Sequence, residues 1–178
     1  MQETRGEPVA TARLQTAPAP PPDDALIAIV ELFFFAYRDF TGEADEALAE
    51  LGFGRAHHRV LHFVSRNPGI RVADLLDILK ITKQSLARVL KQLVDEGYID
   101  QMAGTSDRRE RRLYVTFRGE SLARELMALQ AVRIAQALEQ AGSAARPVAE
   151  RFLYGMISPG ERERAQQILG GSKPARDE

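Results

Sequence analysis

The sequence has no cysteine. That excludes disulfides, thiolate metal sites, iron–sulfur clusters and thiol redox sensing within the chain. Its N-terminus lacks the basic start and apolar core of a secretory signal; the stretch to Pro22 is Ala/Pro-rich and reads as a disordered tail. Long apolar runs are missing too. The longest, Ala25 to Tyr37, contains Glu31 and falls short of the ~20 residues a membrane helix needs. There is no glycine-rich phosphate loop beyond the short Gly52-Phe53-Gly54, and Ser85 has no His or carboxylate nearby in sequence, so no enzyme is expected. What remains is a cytoplasmic, cofactor-free globular chain. Its 178 residues, 44% hydrophobic and 28% charged, suffice for one cored domain or two small lobes.

A formal net charge of -1 conceals a strong polarity along the chain. Eight acids between Asp23 and Glu50 face the single base Arg38, whereas Lys80, Lys83, Arg88 and Lys91 share the stretch to Val94 with no acid. Four arginines then crowd residues 108 to 112. A polyanion would sense that local field rather than the net charge.

Apolar spacing predicts a helix from Asp23 or Asp24 to about Thr41, stopped by Gly42 and apolar nearly all round. A helix of that kind needs cover on more than one side, and a partner subunit is the economical source. An acidic connector follows, then a helix through RAHHRVLHFVSR ended by Asn67-Pro68-Gly69. A short helix of about eight residues through VADLLDIL comes next, then one capped by Thr82 and stopped by Gly97. Strands are predicted at Tyr98–Met102 and Leu113–Phe117, joined by a turn at Gly104-Thr105-Ser106-Asp107. Beyond Gly119 the chain is helical to about Gln140, and a last helix from Arg146 to Leu169 should bend or break at Ser158-Pro159-Gly160.

Helix, tight turn, basic-faced helix and hairpin make a winged helix-turn-helix, mainly α with a small β-hairpin wing. The exposed face of a helix in the major groove must carry groups that bond base edges and phosphates. Lys83, Gln84, Ser85 and Arg88 supply them, with Thr82 at the helix start and Lys91 placed for a phosphate. At the hairpin tip, Arg108, Arg109 and Arg111 suit the narrow, electronegative minor groove. Asp107 would hold the turn and orient Arg109 through a charge-assisted hydrogen bond.

These motifs resemble the MarR (multiple antibiotic resistance) transcriptional regulators. The wing of that family carries Asp-x-Arg, then Leu-Thr and a charged residue before Gly. DRRERRLYVTFRG supplies Asp107, Arg109, Thr116, Arg118 and Gly119, with Val115 where leucine is usual and Phe117 where glutamate is common. SLARVLKQLVDEGYI resembles the family's recognition helix, and RAHHRVLHF resembles its PetP-like branch. Arg71 stands where a Ser/Thr cap is common. Over residues 25 to 170 the resemblance implies a homodimer clamped through N- and C-terminal helices and bound to pseudo-palindromic DNA. It also implies an effector site between the lobes and repression as the default. The corresponding division is a tail at 1–22, a dimerisation helix and connector at 23–54, the DNA-binding domain at 55–118, C-terminal dimerisation helices at 119–170 and a tail at 171–178.

His57, His58 and His62 fall within six residues. His58 and His62, one turn apart, could share a Zn²⁺ only if Glu50 or Asp45 and another group completed the set. A structural role, or the lining of an organic-effector pocket with His57 or His58 facing Phe34 and Tyr37, is the simpler expectation, and the family resemblance makes an anionic aromatic ligand the occupant of such a pocket. The rival function is a winged helix that docks an acidic protein through its arginine tip, which leaves the acid-free helix unexplained.

Overall fold

The computed structural model describes residues 23–104 and 110–170. Asp23 accepts the Leu26 N–H at 2.7 Å and opens α1 (Asp24–Ala49). The chain divides into two units, one ending at Tyr37 and the other beginning at Arg38. In the first unit the apolar residues of α1 are exposed, Leu32 and Phe34 to 66% and 67%. In the second, Thr41, Ala44 and Leu48 are buried.

Helix α1 therefore runs past Gly42, where the sequence predicts a stop. A mid-helix glycine costs only about 1 kcal/mol relative to alanine. Burial of Ala44 and Leu48, the Arg133–Glu43 ion pair and the bond from Gln130 to the Phe40 carbonyl hold the extra turns. Part of the expected acidic connector is thus helix.

Then follow α2 (Arg55–Arg66), β1 (Ile70–Arg71), α3 (Val72–Leu79) and α4 (Lys83–Asp95). The wing is β2 (Ile99–Ala103) and β3 (Arg111–Val115), and the chain closes with α5 (Phe117–Ala141), α6 (Ala145–Met156), a 3₁₀ turn at Pro159–Glu161 and α7 (Arg162–Gly170). The break between α6 and α7 falls at Ser158-Pro159, as the proline predicts. The sheet is antiparallel with order β1-β3-β2; Ile70 pairs with Leu113, and Gln101 with Leu113 from the other side. β1 was not predicted, because two residues are too short to show an alternating pattern.

The core joins Val60, Leu61 and Val64 of α2 to Leu75 of α3, Leu86 and Leu93 of α4, Leu113 of β3 and Leu126 of α5. Phe117, predicted as the end of a strand, begins α5 instead, because Thr116 Oγ1 accepts the Gly119 N–H at 3.1 Å as an N-cap. The same hydroxyl donates to the Gly97 carbonyl at 2.7 Å. A Cβ on Gly119 would lie 2.0 Å from the Tyr98 carbonyl oxygen, so only glycine permits this approach.

Candidate nucleic-acid interface

The turn before α4 is made by Lys80, which takes a left-handed conformation (φ 52°) as C-cap of α3. Thr82 then caps α4, its Oγ1 accepting the Ser85 N–H at 3.1 Å and donating to Ser85 Oγ at 2.9 Å. Thr82 and Ser85 therefore shape the helix start together. Leu86, Val89, Leu90 and Leu93 turn inward, which leaves Lys83, Gln84, Arg88 and Lys91 exposed.

Two of the four bases counted in the sequence are neutralised within the chain. Lys80 Nζ lies 3.0 Å from Glu161, and Lys91 pairs with Asp95 one turn on. Lys83, Gln84 and Arg88 have no hydrogen-bond or ion-pair partner among the described residues, so α4 presents an uncompensated positive and hydrogen-bonding row.

On the wing, Arg111 is exposed, while Arg112 pairs with Glu110 at 2.9 Å. Asp107, Arg108 and Arg109 lie outside the described residues. Arg71, standing at the N-cap of α3 without a side-chain cap bond, forms a two-point ion pair with Asp74, each contact 2.7 Å. Its guanidinium holds the Asp74 carboxyl below the usual carboxylate range.

Two ties fix the second half of α4. Arg118 Nη1 donates to the Glu96 carbonyl at 2.7 Å, and its guanidinium carbon stands 4.2 Å from the centre of the Tyr98 ring. On the other side, His57 Nε2 meets Gln92 Oε1 at 3.0 Å, and Gln92 Nε2 reaches the Gly52 carbonyl at 3.4 Å. Gln92 carried no functional expectation. Its contact with His57 spans 35 positions, so no local signal marks it.

This geometry is that of a winged helix. A MarR-family domain pattern matches residues 51–110. The chain is 42% identical over 146 residues to the HTH-type transcriptional regulator PetP of Rhodobacter capsulatus, covering 82% of this chain and 88% of the relative. The chain belongs to the MarR family. It is a MarR-family, DNA-binding transcriptional regulator with a winged helix, and its relatives are regulators rather than enzymes. An HTH-type transcriptional repressor of Mycobacterium tuberculosis is 33% identical over 95 residues, 53% of this chain and 67% of its own. The structure of a MarR family protein from that organism in complex with p-aminosalicylic acid aligns with a TM-score of 0.53 at 25% identity, covering 73% of this chain and 98% of that one.

An apolar groove of about 620 Å³ runs beside the exposed polar row of α4 in this MarR-family chain. Val72 and Leu76 of α3, Ala87 and Val94 of α4 and Gln101 of β2 line it, together with Lys83 and the Lys91–Asp95 pair. The histidines lie apart from it. His57 stacks on Phe53, ring centres 4.8 Å apart. His58 is 7% exposed, and burial lowers its pKa from the ordinary value, partly opposed by Asp45. Burial lowers the pKa of His62 as well, with smaller effects from His58 and Arg66. Phe34 and Tyr37 belong to the first unit and are exposed. Among the described residues no group of three or more His, Cys, Asp or Glu could hold a metal ion, and no helix is long and apolar enough to cross a membrane.

Proposed function

We propose that the chain represses transcription as a homodimer on an inverted-repeat operator, and that an aromatic carboxylate weakens that binding. The outward row of α4 carries the reading: Lys83, Gln84 and Arg88 are exposed and unpartnered among the described residues. Gln84 suits adenine and Arg88 suits guanine, while Lys91 exchanges Asp95 for a phosphate. Arg111 of the wing follows the minor groove.

The exposed apolar residues of α1, and Phe152, Leu153 and Met156 of α6, support a dimer built from the terminal helices. Residues 55–118 then read DNA, and 23–54 and 119–170 set the spacing of two copies. Two-fold symmetry requires half-sites about one helical turn, ~10 bp, apart.

Effector action requires only that a ligand bind better to the DNA-free conformation. The groove beside α4 offers apolar walls for an aromatic ring, Lys83 for a carboxylate, and Lys91 once it exchanges Asp95, which also lines the groove, for that carboxylate. Occupancy of those lysines competes with phosphate contacts. The relative's p-aminosalicylic acid complex supports this ligand class.

The test is binding of the full chain to fragments of its own upstream region and the wider genome, across a salt series with competitor DNA. Tight binding to an inverted repeat that falls steeply with salt, and weakens with added salicylate, supports the proposal. Weak, sequence-independent binding on every fragment overturns it and favours the acidic-protein docking module.

A further inference from the structure

We propose that His57 is a positioning residue for the recognition helix, acting through Gln92 to lock α4 to the junction between α1 and α2. The Gly54 backbone N–H points at Nδ1 of His57, 3.1 Å away. A backbone amide can only donate, so Nδ1 carries the lone pair and the ring proton sits on Nε2. Nε2–H then donates to Gln92 Oε1 at 3.0 Å.

That bond fixes the Gln92 amide. With its oxygen committed to His57, its nitrogen donates to the Gly52 carbonyl at 3.4 Å and to Glu96 Oε1 at 3.2 Å. A flipped amide would set N–H against N–H at His57 and oxygen against oxygen at the other two. Phe53 completes the joint by lying flat on the imidazole at 13° and meeting Tyr98 edge-on, ring centres 5.1 Å apart.

Gln92 lies one turn beyond Arg88 on the same helix. Whatever fixes the Gln92 side chain against Gly52 therefore also limits how far α4 can rotate about its axis. Rotation of a reading helix moves every base-contacting atom at once, and misplacement by about 1 Å loses directional hydrogen bonds. The joint includes the turn that leaves α1, so it connects the C-terminal end of that helix to the exposed row of α4. Its relevance to DNA rests on the function proposed above; the joint itself does not.

The absence of cysteine makes the test direct. Spin labels at Ala56→Cys and Gln84→Cys, with the labelled chain diluted in unlabelled chain, report the distance between α2 and α4 without DNA. One narrow distribution is expected in the parent. His57→Leu and Gln92→Leu should broaden or shift it, and His57→Gln, which can both accept from Gly54 and donate to Gln92, should restore it. Gln92→Leu removes only the far end of the joint, which keeps the test available if His57→Leu fails to fold. Nitrogen NMR of the ring should show the Nε2–H tautomer.

Operator affinity, once an operator is in hand, should fall about tenfold in both leucine variants, with non-specific binding unchanged. Distances in both leucine variants equal to the parent's, or an Nδ1–H tautomer, would overturn the proposal. If the distances respond and the parent binds no DNA sequence specifically, the joint stands and the operator reading fails.

Discussion

Among the four bases from Lys80 to Lys91, the structure separates two that are neutralised from two that are free to act. Exposed ion pairs such as Lys91–Asp95 are worth roughly 0–1 kcal/mol, so a phosphate can displace Asp95 at little cost. Arg88 has nothing to give up. Arg88→Ala should weaken operator binding by about 1–3 kcal/mol and relax preference at one base position. Lys91→Ala should weaken binding to all sequences alike and reduce the salt slope by about one. Fluorescence anisotropy on operator variants across a salt series distinguishes the two. Buried His58 and half-buried His62 give a pH prediction. His58 and His62 have pKa values lowered by folding, so the unfolded chain takes up their protons first. Their contribution to stability is present above the ordinary value of 6.5 and is lost as pH falls below it through the folded values. Thermal unfolding should shift to lower temperature between pH 7 and 5, and a His58→Gln/His62→Gln variant should show a flatter dependence.

Among the elements, the junction of wing and α5 is the least tolerant of change. Gly119→Ala should cost more than about 3 kcal/mol, since its Cβ would meet the Tyr98 carbonyl at 2.0 Å and backbone cannot yield as a side chain can. Chemical denaturation measures the loss. The helix-turn-helix was legible because its signals are local: the Thr82 cap, the inward stripe of Leu86, Val89, Leu90 and Leu93, and Gly97 with its positive φ of 75°. The run of α1 beyond Gly42 was not, because a glycine's local cost is outweighed by tertiary ties to α5 that no local window contains. Strand β1 and the neutralisation of Lys80 by Glu161 escaped for the same reason: each depends on residues far along the chain. For the histidines, the sequence leaves a structural role and a pocket lining both open; the bonds of His57 to Gly54 and to Gln92, the second of them 35 positions away, lie beyond any local signal.

For the whole molecule, the proposed recognition requires two copies. Leu32 and Phe34 are about two-thirds exposed in the single chain, a condition a soluble monomer rarely sustains on its first helix. Leu32→Glu with Phe34→Glu should convert a dimer to monomer in sedimentation velocity, and should lower operator affinity by orders of magnitude while leaving the winged helix folded. Selection of bound sequences from a random DNA library by the purified full chain tests the dimeric, sequence-reading regulator most directly. An enriched inverted repeat with half-sites about one helical turn apart, its base preference altered at one symmetric pair of positions by Arg88→Ala, is the predicted result. Enrichment of no sequence, or of a single half-site without a symmetric mate, would contradict it.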